Sequence, residues 1–195
     1  GQALSDTDWQ LCQILKDAMI SGALPANLRF LVRNHPHHPA DLSKFTPDEH
    51  FIIEVPGQKL KGEDYKQVEL SPDDASHLLN SVYYSDIVIY VATTLGLDAT
   101  VFNKPQIMVS FDGWESRPYF RSVKRCNQED CLANLTRLGG TRVVENKEAW
   151  IKAINDYFTD PRLDEEGRKK AITEHMYQLD GKAGERIANF ILDYL

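Results

Sequence analysis

Apolar and polar residues follow two different spacings along this chain. Runs of strand-forming apolar residues, of which DIVIYV is typical of a strand buried on both faces of a parallel sheet, predict five strands: LRFLV from Leu28, FIIEV at 51–55, DIVIYV at 86–91, PQIMVSF at 105–111 and TRVVE at 141–145. Between them, apolar residues three and four positions apart predict helices. We expect these helices at about 7–21, after Ser71, after Thr94, near 128–138, around Trp150, at about 163–176 and from about 182. The segment PGQKLKGED, at 56–64, is interpreted as a polar, turn-rich connection.

Strands that alternate with helices imply crossover connections and therefore a mostly parallel sheet. The predicted fold class is α/β, with a doubly wound, Rossmann-like sheet that carries helices on both faces. A chain of 195 residues with 42% hydrophobic residues is long enough for one core, so residues 1–195 are expected to form a single domain. Such sheets bind ligands at the carboxyl ends of their strands. The loops of interest are therefore RNHPHHP, ATT and DGWESR.

Composition and charge narrow the class of protein. The net charge of −7 argues against general nucleic-acid binding, which depends on clustered Lys and Arg. Three cysteines form an odd, sparse set, so a reducing, cytoplasmic location is expected. No stretch approaches the roughly 20 apolar residues of a membrane span. The chain begins Gly-Gln, which suggests a processed or engineered start and a piece excised from a longer protein.

The turn after DIVIYV is the first candidate site. A helix that begins there would point backbone N–H groups and its positive dipole end toward the mouth of the sheet, as in an anion site. Thr93 and Thr94 could either cap this helix or donate hydroxyl hydrogen bonds to a phosphate. Asp98, about one turn into the helix, could accept hydrogen bonds from sugar hydroxyls or simply be a solvated aspartate.

The loop RNHPHHP supplies the second set of candidates. Arg33 and His35 follow a strand, and a guanidinium and an imidazole both suit a diphosphate or the charge that develops on a leaving phosphate. With His37 and His38, His35 could instead bind a metal, but no carboxylate or thiolate spacing completes a shell, so no metal site is predicted. Cys126 and Cys131 lack a second pair and are interpreted as incidental thiols.

Three further segments carry chemistry that spacing alone does not assign. Asp112 and Gly113 follow a strand and are candidates for the crevice at the sheet edge, as are Asp180, Gly181 and Lys182 before the last helix. The segment FDGWESRPYFRSVKRC interleaves aromatic and basic residues. It could dock an anionic lipid-linked acceptor or another domain, or be a plain loop with partly buried aromatics: Trp114, Arg117, Tyr119, Phe120, Arg121, Lys124 and Arg125.

Three separated segments together resemble a known family. VRNHP, SDIVIYVATTLGLDATVFNKPQI and LDGKAGERIANFI look like the carboxy-terminal donor-nucleotide-binding domain of GT-B-fold glycosyltransferases. The likeness covers nearly the whole chain and is greatest to transferases of bacterial surface polysaccharide synthesis, including CDP-glycerol glycerophosphotransferases. DGKAGERI also resembles the non-hydrolysing UDP-N-acetylglucosamine 2-epimerases, which share this fold.

The resemblance implies roles for the candidate residues. Arg33, His35, Thr93 and Thr94 would face the donor phosphates, and Asp98 would lie near the donor ribose or sugar. Asp98 stands where many relatives have Glu, which shortens its reach by one methylene. The substrate would be a nucleotide-sugar or CDP-polyol, with no separate cofactor. The catalytic base is expected on a missing amino-terminal domain, although His35 is a catalytic candidate here.

The resemblance also sets the expected activity and its alternatives. GT-B enzymes form their sites between two Rossmann-like domains, and this chain has room for one, so we expect no turnover from it alone. Peripheral membrane association of a full-length protein is a further expectation. The alternatives are a UDP-sugar 2-epimerase-type domain and a non-catalytic Rossmann-like interaction module. A receiver domain is disfavoured because the carboxylate cluster that would hold Mg²⁺ is missing.

Overall fold

The computed structural model describes residues 7–36, 39–59, 68–91, 93–128, 130–176 and 178–194. Helices and short, mostly parallel strands alternate along this part of the chain, as expected for an α/β protein. The helices are α1 Asp8–Ile20, α2 Pro72–Tyr84, α3 Leu95–Val101, α4 Asp130–Arg137, α5 Lys147–Thr159, α6 Glu165–His175 and α7 Ala183–Asp193. The strands are β1 Phe30–Arg33, β2 Phe51–Glu54, β3 Gln58–Lys59, β4 Val68–Glu69, β5 Val88–Tyr90, β6 Gln106–Val109 and β7 Arg142–Val144.

The described strands form three small sheets. β1 and β2 pair in parallel, with Arg33 opposite Glu54 at their carboxyl ends. β5, β6 and β7 form a parallel sheet with β6 in the middle. β3 and β4 are antiparallel and lie partly within the segment that we interpreted as a polar connection. The parallel pairing of the five predicted strands is therefore confirmed, whereas the small antiparallel pair was not predicted.

Alternate residues of the β5–β6–β7 sheet enter two different apolar clusters. Ile107 and Val109 of β6 pack in a large cluster with α1 and α5, which also receives side chains from β1 and β2. Met108, between them, packs in a second cluster with residues of α2, α3 and α4. All four residues of β6 are buried. Helices therefore cover both faces of this sheet, which explains why β6 has no polar face.

Side chains close several of the helix ends. Ser71 and Asp74 form a capping box at the start of α2, where Pro72 occupies the first turn. The Asn146 side chain accepts a hydrogen bond from the Ala149 N–H and caps α5. These side chains each satisfy backbone N–H groups that the first turn of a helix leaves without an intrahelical partner.

A buried arginine joins α6 to the end of α3. Arg168 is 1% exposed, although arginine is rarely buried so fully. Its guanidinium donates to Asn103 Oδ1 at 2.9 Å and to the carbonyls of Leu163 at 2.8 Å and Pro161 at 3.2 Å. Asn103 has a left-handed backbone (φ 52°), which amide side chains tolerate better than most. Arg168 thus satisfies three acceptors at the junction of two helices.

The last helix, α7, has an exposed apolar stripe. Ile187, Phe190 and Ile191 are spaced for one helix face, yet each is more than half exposed. No residue of α7 is buried. Among the described helices, none is both long enough and apolar enough to cross a membrane.

Candidate functional site

The side chains of the two threonines in the turn between β5 and α3 contribute little to capping of the helix. Thr94 is the N-cap residue, but its side chain makes no cap hydrogen bond. The Thr93 hydroxyl oxygen lies 3.5 Å from the Leu95 nitrogen, the outer limit of a hydrogen bond. Helices α2 and α5, in contrast, have well-formed side-chain caps. Of the two interpretations that the sequence left open, capping by Thr94 is therefore absent from the structure.

Close packing fixes the start of α3 against the sheet. A Cβ on Gly96 would collide with the phenol oxygen of Tyr90, so only glycine allows this approach to β5. Thr100 Oγ1 donates to the Gly96 carbonyl at 2.7 Å and accepts from Gln106 Nε2 at 2.8 Å. The first turn of α3 is thus held against both β5 and β6.

Asp98 ends the first turn of α3 and is partly buried. Burial raises the pKa of its carboxyl above the ordinary value. A carboxylate in this setting gains from hydrogen-bond donors, such as hydroxyl groups, that replace lost water. The position of Asp98 is compatible with the expected contact to a sugar, and that contact stays a prediction.

The Arg33 side chain already has hydrogen-bond acceptors within the chain. Its guanidinium donates to Glu54 Oε2 at 3.1 Å and to the Asp74 carbonyl at 3.2 Å, in the first turn of α2. His77 Nε2 lies 2.9 Å from both carboxylate oxygens of Glu54. Arg33, Glu54 and His77 thus join β1, β2 and α2, and a phosphate that binds Arg33 would share it with Glu54.

Sequence reasoning missed Glu54 and His77 as neighbours of Arg33. A signal for Glu54 was present, because Arg33 directly follows the predicted strand LRFLV and Glu54 is the next-to-last residue of the predicted strand FIIEV, so both lie at the carboxyl ends of predicted parallel strands. Such residues face one another when neighbouring strands are in register, as they do here. His77 offered no comparable signal, since its approach depends on how α2 packs.

The loop after β1 is fastened by Asn34. This residue is 8% exposed, and its Oδ1 accepts a hydrogen bond from the Ala40 N–H at 3.0 Å. His35, next to it, is exposed to solvent. His37 and His38, which offered the metal alternative, lie outside the described residues. In the part of the chain that the structure does describe, no group of three His, Cys, Asp or Glu side chains is arranged to hold a metal ion.

The loop after β6 uses its aspartate to hold the neighbouring segment. Asp112 is 4% exposed, and its Oδ1 accepts the Val123 N–H at 2.9 Å. Gly113 has φ 64°, and the Gln10 side chain packs against it. Gln10 Oε1 accepts the Trp114 N–H at 2.7 Å, which ties the loop to α1. Asp112 and Gly113 lie at the carboxyl edge of the sheet, as expected, and their observed contacts are structural.

A tryptophan pair strengthens the same connection between α1 and the loop. The rings of Trp9 and Trp114 meet edge to face, with centroids 5.4 Å apart. The Lys44 ammonium lies 5.5 Å from the centre of the Trp9 ring, within cation–π range. Trp114 nevertheless keeps 55% of its surface exposed.

The loop before α7 makes local hydrogen bonds. Asp180 Oδ1 accepts the Lys182 N–H at 3.0 Å, and both carboxylate oxygens accept from Arg186 Nη1. These bonds and the Arg186 charge hold the pKa of Asp180 below its ordinary value. Asp180, Gly181 and Lys182 are all exposed. Their expected approach to the crevice stays a prediction.

The structure groups the candidate residues in two sets. Thr93 and Thr94 share the carboxyl edge of the β5–β6–β7 sheet with Asp112 and Gly113, because the strands are parallel. Arg33 lies at the carboxyl end of the β1–β2 pair. Between described residues, no hydrogen bond or ion pair joins Arg33 to Thr93, Thr94 or Asp98.

Helix α2 connects the two sets along the chain. Its first turn accepts a hydrogen bond from Arg33, and three residues separate its last residue from β5. The edge of the β5–β6–β7 sheet thus offers the threonine hydroxyls and the backbone N–H groups of α3 as hydrogen-bond donors. The end of the β1–β2 pair offers the Arg33 guanidinium, whose charge is balanced by Glu54. Comparison with protein-family models, with curated proteins and with solved structures found no match to this chain.

Proposed function

We propose that this chain is the donor-binding domain of a glycosyltransferase of surface polysaccharide synthesis, and that the β5–α3 turn binds the diphosphate of a nucleotide-sugar or CDP-polyol. One observation carries the proposal. Two threonine hydroxyls lie at the start of a helix, at the carboxyl edge of a parallel sheet, and the N-cap hydroxyl is not used as a cap. A diphosphate is the ligand that best suits hydroxyl donors beside a helix N-terminus.

The chemistry follows from where charge develops during transfer. An acceptor hydroxyl displaces the nucleotide diphosphate from the donor, and negative charge grows on the leaving phosphate oxygens. Donors fixed in advance around those oxygens stabilise the transition state more than the ground state. The α3 backbone and the Thr93 and Thr94 hydroxyls would serve as these donors, with the Arg33 guanidinium and the His35 imidazole as added hydrogen-bond donors. Asp98 would accept hydrogen bonds from hydroxyl groups of the nucleotide-sugar or CDP-polyol.

The proposal also requires the two parallel sheets to act as one. We infer that β1–β2 continues the β5–β6–β7 sheet in a single doubly wound, Rossmann-like arrangement. Val32 of β1, Ile53 of β2 and Ile89 of β5 all pack against the same apolar cluster, which supports this continuity. Arg33, His35, Thr93 and Thr94 would then border one crevice. The catalytic base would come from a second domain, so no transfer is expected from this chain alone.

Ligand-dependent stabilisation tests the proposal. Thermal unfolding is followed with CDP-glycerol, UDP-, GDP- and dTDP-sugars and the free nucleotides. A ligand at 100 times its dissociation constant adds about 2.7 kcal/mol of apparent stability. We expect one nucleotide class to raise the midpoint of the wild type, and the double variant Thr93→Val/Thr94→Val to lose that shift, because valine keeps the shape of threonine without its hydroxyl.

A matched control separates the site from a general effect. Thr173 lies exposed on α6, and its hydroxyl donates to the Lys169 carbonyl of the same helix. Thr173→Val should keep the full ligand shift. If no nucleotide raises the midpoint, or if the double variant shifts as much as the wild type, the diphosphate site is wrong, and a non-catalytic interaction module becomes the better interpretation. Product analysis with and without an acceptor would separate transfer from epimerisation.

A further inference from the structure

The segment at residues 114–125 combines exposed aromatic and basic side chains. We call it the basic-aromatic platform. Its aromatic members are Trp114, 55% exposed, Tyr119, 53% exposed, and Phe120, 72% exposed. Its basic members, Arg121, Lys124 and Arg125, are exposed as well. Exposed apolar surface of this kind, rimmed by charge, is typical of an interaction site.

The backbone beneath the platform is well anchored. Two 3₁₀ turns, Tyr119–Arg121 and Val123–Gln128, follow one another and pack together. Val123 and Cys126 are each 3% exposed and attach the second turn to the core. The Val123 N–H is held by Asp112. The platform side chains therefore project from a fixed surface, which lowers the entropy lost when they bind.

Three platform residues, two aromatic and one basic, line a surface cavity. It has a volume of about 410 Å³ and is open to solvent, and Tyr119, Phe120, Arg125 and Gln128 line it. Two aromatic rings and a guanidinium thus line the same cavity. A ligand that matches this cavity has an anionic group and an apolar part close together.

Charge is segregated on this segment. Residues 116–128 contain four Lys or Arg and no Asp or Glu, in a chain whose net charge is −7. Arg117 is paired with Glu115 at 2.8 Å. Arg121, Lys124 and Arg125, in contrast, have no ion pair with any residue that the structure describes. Among the residues that the structure describes, the platform therefore presents three positive charges without an ion-pair partner.

We propose that the basic-aromatic platform docks the protein on an anionic phospholipid surface. Trp and Tyr rings favour the headgroup region of a bilayer, and Lys and Arg are attracted to anionic lipids. A free phosphate would leave the exposed Phe120 ring in water. A nucleic acid would normally need a longer basic groove than the short stretch from Arg121 to Arg125. The inference stands on the platform alone and is independent of the nucleotide proposal.

Vesicle sedimentation with the whole chain tests the platform. Vesicles of equal parts phosphatidylglycerol and phosphatidylcholine are compared with pure phosphatidylcholine, at low and high salt. We expect binding to the anionic vesicles only, and weaker binding at high salt because the ionic attraction is screened. Each basic residue near an anionic surface contributes about fivefold in affinity. The variant Arg121→Ala/Lys124→Ala/Arg125→Ala should therefore bind about 100-fold more weakly, and Phe120→Ser about tenfold more weakly.

Two control variants remove three positive charges or one exposed aromatic ring from surfaces outside the platform. Lys147→Ala/Lys152→Ala/Lys170→Ala removes the same charge from exposed positions on α5 and α6. Phe190→Ser removes a phenylalanine of α7 that is 62% exposed, against 72% for Phe120. Both should bind vesicles like the wild type, and Arg121→Lys/Arg125→Lys should keep its binding because the charge is kept.

Four results would overturn the proposal. They are equal binding to both vesicle types, an equal loss in the Lys147→Ala/Lys152→Ala/Lys170→Ala control, an equal loss with Phe190→Ser, and binding to single-stranded polynucleotide without binding to vesicles.

Discussion

At the scale of single residues, close backbone contacts restrict what the chain tolerates. Gly167 lies in α6 where that helix passes the turn at Gly139 and Gly140. A Cβ on Gly167 would collide with the Gly139 carbonyl, which belongs to the backbone and cannot rotate away as a side chain would. The α4–β7 turn and α6 therefore approach more closely than any larger residue permits.

We predict that Gly167→Ala destabilises the protein by about 1–3 kcal/mol, the usual cost of forcing extra volume into a packed contact. Chemical denaturation at neutral pH measures the change. Gly184→Ala is the matched control, because a Cβ there meets nothing within 4 Å. This control should leave the free energy of unfolding unchanged or raise it by up to about 1 kcal/mol, because alanine favours a helix more than glycine does. Equal stability of the two variants would mean that α6 and the turn do not touch as described.

At the scale of elements, α2 depends on the ionised state of one carboxylate. Asp74 accepts hydrogen bonds from the Ser71 N–H at 2.9 Å, the Ser71 hydroxyl at 2.8 Å and the Gly57 N–H at 3.0 Å. These bonds, foremost those from Ser71, lower the pKa of Asp74 below its ordinary value of 3.8. The charged form is thus favoured by folding, and it links α2 to the residue before β3.

We predict that Asp74→Asn lowers stability near neutral pH and that its difference from the wild type shrinks on acidification. A carboxyl whose pKa is lower in the folded state stabilises the fold above its unfolded-state pKa, and this stabilisation is lost as the pH falls through the folded-state pKa. Denaturation midpoints measured from pH 7 to below the ordinary pKa of 3.8 test this.

Asp73→Asn is the control for this experiment. Asp73 lies in the same first turn but outside the capping box, so its variant should keep the pH dependence of the wild type. A gap between Asp74→Asn and the wild type that stays constant with pH would contradict the prediction.

At the scale of the whole molecule, one strand connects the two apolar clusters. Ile107 and Val109 of β6 belong to the cluster around α1 and α5, and Met108 belongs to the cluster around α2, α3 and α4. Because neighbouring residues of a single strand serve both clusters, neither cluster can be lost while the other keeps β6 in position.

We predict that residues 7–176 unfold in one cooperative transition. In scanning calorimetry, the measured enthalpy should equal the van't Hoff enthalpy, the usual test of two-state unfolding. A calorimetric enthalpy well above the van't Hoff value would mean that the two clusters unfold separately. Conditions must be reversible for the comparison to hold.

Much of the architecture could be predicted from the sequence, because apolar patterns report burial directly. DIVIYV and PQIMVSF predicted parallel strands because both faces of their sheet are covered. The β3–β4 pair could not be predicted, because each strand has two residues and no apolar alternation. The burial of Arg168 was also hidden, since it depends on how α6 packs against Asn103, a residue that is distant in sequence, and on two carbonyls of the turn just before α6.

The candidate site was predictable only as a set of loops. The alternation of strands and helices indicated which loops lie at the carboxyl edges of parallel strands. It did not indicate that Asp112 would hold the Val123 backbone, or that Glu54 would take up the Arg33 charge. Such pairings depend on tertiary geometry, which local spacing does not contain.

The Trp9–Trp114 pair gives the molecule an optical probe at the loop after β6. Two of the three tryptophans stand there, while Trp150 is 1% exposed in the core. A water-soluble quencher should therefore reach Trp114 and spare Trp150, leaving a blue-shifted residual emission from the interior. Any ligand or surface that covers the loop would reduce this quenching, so the natural chain reports its own occupancy without a dye.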